Sequence, residues 1–123
     1  MSNRTQSDAP PADDLAVSRT YQWEDMPKSS AIDPAAVVAK INGRGTTILR
    51  GELEAGFKMP RHDHPQEQIT MVMSGRLHVW SESDEEGTVL GPGGVARVPG
   101  GMPHGAEALE DTVLFDVFAP ARP

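Results

Sequence analysis

The stretch from Gly56 to Gly75, GFKMPRHDHPQEQITMVMSG, constrains the fold more than any other part of the chain. His62 and His64 are two apart, Gln68 follows four after His64, and a glycine bounds the segment at each end. Side chains on a β-strand alternate between faces with a period of two. His62 and His64 can therefore aim their imidazoles at one point, and Gln68 joins them if the strand resumes after a bend. Two imidazoles and an amide oxygen converging from one sheet face make a borderline-to-hard metal site. A second stretch, Gly93 to His104 (GGVARVPGGMPH), brings a third imidazole on another hairpin, and only His78 lies outside both stretches.

Composition narrows the class of protein. A chain of 123 residues is one domain with a modest core. It has no cysteine, so neither a disulfide framework nor a thiolate ligand or nucleophile is available. A net charge of −7 leaves no basic patch for phosphates and argues against nucleic-acid binding. No apolar run approaches a membrane span, and the N-terminus carries no charged-then-apolar signal. These features read as a soluble, cytoplasmic protein without a membrane partner. With 12 Gly and 11 Pro, turns are frequent, as a chain of short strands requires.

The first 20 residues are polar, Pro-containing and poor in aromatics, and read as a flexible arm before an ordered domain over 21–123. Order begins at Trp23. Ala35–Ile41, Thr46–Glu54, Gln68–Met73, Arg76–Trp80, Val95–Val98 and Thr112–Phe118 read as strands, with turns at Ala55-Gly56, Ser74-Gly75 and 91–94. The acidic run Ser81–Gly87 (SESDEEG) lacks the ligand spacing of a calcium loop and reads as a solvated hairpin tip. Thr112–Phe118 is apolar on both faces, which predicts burial, yet it carries Asp116. A carboxylate is not buried without a partner or a task. By parity Asp116 shares a face with Leu114 and Phe118, pointing into the interior. Short strands at regular spacing predict an all-β sandwich or barrel.

The two glycine-bounded stretches together resemble the cupin superfamily, whose motifs read G(X)5HXH(X)3–4E(X)6G and G(X)5PXG(X)2H(X)3N. Gly56, His62, His64 and Gly75 match the first, with Gln68 in the glutamate position; Gly93, Pro99, Gly101 and His104 match the second, with Ala108 in the asparagine position. The resemblance implies a double-stranded β-helix, a jelly-roll barrel with a metal at its mouth. It implies one divalent transition metal on His62, His64, Gln68 and His104. The donor set does not choose among nickel, zinc, iron, manganese and cobalt. It also implies a homodimer that pairs or exchanges edge strands.

The run from Pro103 to Arg122, with HDHPQEQI, is similar to small cupins of the pectin-degradation type, which linearise unsaturated uronates. Gln66 departs from that type by standing where a further histidine is common. The resemblance assigns catalytic roles to Asp116 and Arg122, against the alternatives of a structural carboxylate and a terminal surface charge. Arg50, Arg61, Arg76 and Arg97 are further candidates to hold a substrate carboxylate. The expected function is a metal-dependent isomerase or lyase acting on a small anionic or carbonyl-containing molecule. An Fe(II) dioxygenase, a non-catalytic small-molecule binder and a polyketide-type cyclase are the rivals. The last would need an apolar pocket, to which Met59, Met71, Met73, Met102 and Trp80 are candidates to contribute.

Overall fold

The computed structural model describes residues 14–123 and is all-β, with ten strands in two antiparallel sheets. A 3₁₀ turn at Trp23–Asp25 precedes β1 (Ser29–Asp33), β2 (Ala36–Asn42), β3 (Thr47–Leu53), β4 (Lys58–His62) and β5 (Glu67–Ser74). Then follow β6 (Leu77–Ser81), β7 (Asp84–Leu90), β8 (Val95–Val98), β9 (His104–Ala108) and β10 (Thr112–Ala119). One sheet runs β1-β2-β3-β10-β5-β8 and the other β4-β9-β6-β7, the jelly-roll arrangement of a double-stranded β-helix. Most of the arm expected over 1–20 lies outside the described residues, and 14–20 carry no helix or strand. Among the described residues no helix is long and apolar enough to cross a membrane.

Alternation in the strands sorts the side chains into an inner and an outer set. Across the six-stranded sheet the register aligns Asn42, Thr47, Phe118, Gln68 and Val98 in one inner row. Lys40, Leu49, Asp116, Thr70 and Ala96 form the next, and Val38, Gly51, Leu114 and Val72 the one after. The second sheet matches these rows with the pair His62–His104, then Met59, Ala106 and Val79, then Leu77 and Ala108. Phe57, Val72, Leu77, Ala108, Leu114 and Ala36 pack as the core at the end away from the histidines. Gly75, which closes the first motif, has φ +87° between β5 and β6, and a Cβ there would run into the Asp111 carbonyl. Both the backbone angle and the close approach require glycine.

Three expectations are corrected. The acidic run is not a loop: Asp84–Gly87 belong to β7 and pair with β6, leaving Glu82 and Ser83 as the tip. The edge strand β1 was not anticipated; all five of its residues are exposed, so it lacks the half-buried alternation that marks a strand in sequence. Strand β10 is not buried on both faces. Val113, Phe115 and Val117 lie on the outer face and stay half-exposed, although the strand sits between β3 and β5.

Candidate metal centre

His62 ends β4, His104 opens β9 directly opposite it, and Gln68 lies near the start of β5. His64 sits in the connection between β4 and β5, so the two motif histidines do not share one strand face as the sequence spacing suggests. They converge because the chain turns after His62. Ring nitrogens of His62, His64 and His104 all lie within 4.8 Å of one another, and this triad could hold a metal ion. His64 and His104 are buried and His62 is half-buried.

Hydrogen bonding orients each ring. The Nδ1–H of His62 donates to the Pro60 carbonyl at 2.8 Å, that of His104 to the Met102 carbonyl at 2.8 Å, and that of His64 to the Gln66 carbonyl at 3.0 Å. A backbone carbonyl can only accept, so each bond fixes the proton on Nδ1 and leaves Nε2 as a lone pair. Gln68 is oriented in the same way. Its amide N–H donates to Thr70 Oγ1 at 2.9 Å and to Asp116 Oδ1 at 3.2 Å, which turns Oε1 toward the histidines. That oxygen then stands 3.0 Å from His64 Nε2 and 3.2 Å from His104 Nε2. Acceptor faces acceptor in both contacts. Such a cluster of lone pairs is what a cation satisfies, and three imidazoles with one neutral oxygen suit a divalent transition metal.

Behind Gln68 lies a short polar chain. Thr70 accepts from Gln68 and donates to Asp116, whose carboxyl also takes the second Gln68 contact. Burial pushes the Asp116 pKa above the ordinary carboxylate value, against the pull of the Thr70 and Gln68 hydrogen bonds and of nearby His64 and Arg122. Asp116 keeps part of its surface open to a cavity of about 140 Å³ that His62, His104, Gln68, Thr70 and Arg122 also line. The Arg122 guanidinium lies 4.8 Å from the centre of the Phe118 ring, and its backbone N–H donates to Thr47 Oγ1 at 2.9 Å. It is therefore anchored beside the centre and is not a free terminal charge.

The other arginines named from the sequence are elsewhere. Arg50 pairs with Glu52 at 2.7 Å, Arg61 with Glu82 and Glu85, and Arg76 with Glu110, while Arg97 aligns with Ile69 on the outer face. None of the four lines the cavity. Of the methionines expected there, Met59 does line it, as does Trp80; Met71, Met73 and Met102 do not. Thr70 escaped the sequence reading because its role depends on lying opposite Asp116, a pairing that no local pattern reveals. The carbonyls of Pro60, Gln66 and Met102 escaped it because every residue has one.

A family model described as a cupin domain matches residues 49–118. No curated protein matches the chain. Among solved structures, an RmlC-like cupin from Shewanella frigidimarina is 23% identical, with TM-score 0.78 over 86% of this chain and 94% of that one. KdgF from Halomonas sp. is 24% identical, with TM-score 0.77 over 85% of this chain and 96% of that one. The polyketide cyclase RemF from Streptomyces resistomycificus is 21% identical, with TM-score 0.71 over 85% of this chain and 80% of that one. These likenesses are in fold.

Burial holds the His104 pKa below the ordinary imidazole value, with the Met102 carbonyl bond opposing and the charges of His62 and His64 adding to the depression. In the unfolded chain this histidine takes up a proton near pH ~6.5, before the folded one does. Metal-free protein should thus lose stability as the pH falls through that value. Urea denaturation at pH 7.5 and 5.5 should show a smaller loss in His104→Gln than in the parent chain.

Proposed function

The chain belongs to the cupin family, and on that footing we propose that it is a metal-dependent enzyme of the isomerase or lyase kind. In this reading His62, His64, His104 and Gln68 hold one divalent ion. Four neutral ligands leave that ion its full charge, so when bound it supplies Lewis acidity toward a substrate oxygen. Asp116 moves a proton to or from the carbon beside that oxygen. Thr70 and Gln68 fix the carboxyl in place, and Arg122 holds a substrate carboxylate by a two-pronged contact. The observation that carries the reading is the placement of Asp116: a desolvated carboxyl on the cavity wall, one hydrogen bond from the Gln68 amide that faces the histidines.

Linearisation of a 4,5-unsaturated uronate is the specific form suggested by the resemblance to the pectin-degradation type, and the fold likeness to KdgF agrees with it. Likeness to RemF, a polyketide cyclase, brings forward a cyclisation or dehydration instead. Both need a proton moved beside a polarised oxygen; they differ in the body of the substrate.

The protein acts as a homodimer in this proposal, with a second copy on the outer face of the six-stranded sheet. There Ala39, Arg50, Phe115, Met71 and Val95 align in one row, and Ile41, Ile48, Val117, Ile69 and Arg97 in the next. Trp23 covers the Phe115 end of this face, while Val95 is 56% exposed and Met71, Ile69 and Val117 stay half-exposed, a contiguous apolar patch of the kind that marks an interface. Arg50 is neutralised by Glu52, so the net charge of −7 resides mainly elsewhere and does not oppose self-association through this face. Light scattering should give a dimer for the parent chain and a monomer for the Met71→Lys, Phe115→Lys double variant; a parent monomer would remove the proposal.

The catalytic reading is tested with metal-replete protein, a 4,5-unsaturated uronate and a panel of hydroxy and keto acids in deuterated water. Metal-dependent, oxygen-independent deuterium incorporation into a member of the panel is expected; loss of the enol-ether absorbance would single out the uronate. Asp116→Asn should lower the rate about 10²-fold or more with metal affinity unchanged. Full activity in that variant would sink its role. Oxygen consumption on turnover would indicate a dioxygenase, and binding without exchange a sensor.

A further inference from the structure

The cavity reaches well beyond the metal-ligand row, and its polar groups are all at one end. The lining residues whose side chains can hydrogen-bond are His62, Gln68, Thr70, Trp80, His104, Asp116 and Arg122. In the six-stranded sheet they lie in the Gln68 row or the Asp116 row, Trp80 pairs with Gly105 beside His104, and Arg122 rests on Phe118 of the Gln68 row. Beyond the ligand row the wall is formed by Met59, Val79 and Ala106 of the second sheet, level with Asp116, and then by Val38, Gly51 and Leu114 of the first. Leu53, Leu77 and Phe57 close it, and Ile32 of β1, 58% exposed, stands at the rim. Ala106 leaves space that a larger side chain would fill, whereas a Cβ at Gly51 would already meet Leu114 at 3.3 Å.

We infer that the substrate is amphipathic, with an oxygen-bearing head at the histidines and an apolar ring or short branched chain in the inner compartment. This rests on the reading of the site as one that takes a small molecule at a metal. A hydroxyl pushed into the inner compartment would lose its water and find no partner, which costs free energy for every such group. A polyhydroxylated sugar acid pays that penalty several times over, whereas a hydrocarbon body gains from the same burial. Size agrees with the assignment. The cavity as a whole, head-group end included, measures about 140 Å³, close to the ~150 Å³ apolar chamber that holds benzene, so head and body together are small. Successive rows are ~6.7 Å apart along a strand. A ring attached directly to the head group therefore reaches the apolar rows while the bond between them passes Asp116. Pocket shape discriminates weakly between hydrocarbons but strongly against misplaced polar groups, so the compartment selects for the absence of hydroxyls on the body.

Three carboxylic acids with a hydroxyl and different bodies separate the cases: mandelate carries a phenyl ring, lactate a methyl group and galacturonate a hydroxylated ring. Calorimetric titration of the full chain, with and without zinc, should show mandelate binding at least tenfold more tightly than either of the others. Ala106→Leu and, independently, Val38→Phe should remove that preference while zinc affinity, measured by competition with a metallochromic dye, stays unchanged. Two variants from opposite sheets guard against one that fails to fold. Galacturonate binding as tightly as mandelate, no difference among the three, or a preference that survives both fillings would overturn the inference. Failure to bind zinc would strike the metal reading alone, because the ring preference is then read in the metal-free titration.

Discussion

Three hydrogen bonds from imidazole Nδ1 to backbone carbonyls underlie the whole arrangement. They decide the tautomer of His62, His64 and His104, and so decide that lone pairs and not protons meet at the barrel mouth. Each carbonyl lies two residues from its histidine, so the orientation is built from local backbone: the approach to the end of β4, the connection after it, and the entry to β9. Gln68 completes the set because Thr70 and Asp116 occupy its amide nitrogen. A glutamate in that position would cancel one unit of the ion's charge and would lose the donor that reaches Asp116. The glutamine thus joins the ligand cluster to the proton-transfer candidate in a single side chain.

The same register that brings these groups together also grades the interior. From the Gln68 row to the Asp116 row and on to the Leu114 row, the barrel passes from the candidate ligands to the candidate proton-transfer carboxyl to hydrocarbon, each step two residues along the strands. Outside, the corresponding rows of the six-stranded sheet are mostly apolar, which an isolated antiparallel sheet with one wet face would not show. Trp23 covers part of that face by packing on Phe115, with ring centres 5.5 Å apart.

Much of this was legible before any coordinates. The glycines at 56 and 75 mark turns, and the two motifs in order, which carry far more information than either alone, name the histidines and Gln68 that converge. That His62 and His64 meet across a turn after β4, not on one strand face, is not in their spacing. The parity of Asp116 with Leu114 and Phe118 placed its side chain inward from sequence alone. What was hidden depends on pairing between distant strands. Thr70 acquires its role only by lying opposite Asp116, and Arg50, Arg61, Arg76 and Arg97 are separated from Arg122 only by which face or loop they occupy. The acidic residues of β7 read as a loop because composition favoured solvent, whereas an exposed strand paired on one edge tolerates charge. Apolar alternation on both sides of β10 suggested burial, and a single sequence does not distinguish a core from a face awaiting a partner.

X-ray absorption at the metal edge of zinc-loaded protein reads the ligand shell itself. One ion per chain is expected, with three imidazoles and at least one oxygen in the nearest shell at about 2.0–2.2 Å. His64→Ala should remove one imidazole from that shell, although His64 stands off the strand that carries His62. A shell with fewer than three imidazoles, or one unaltered in His64→Ala, would contradict the proposed metal centre.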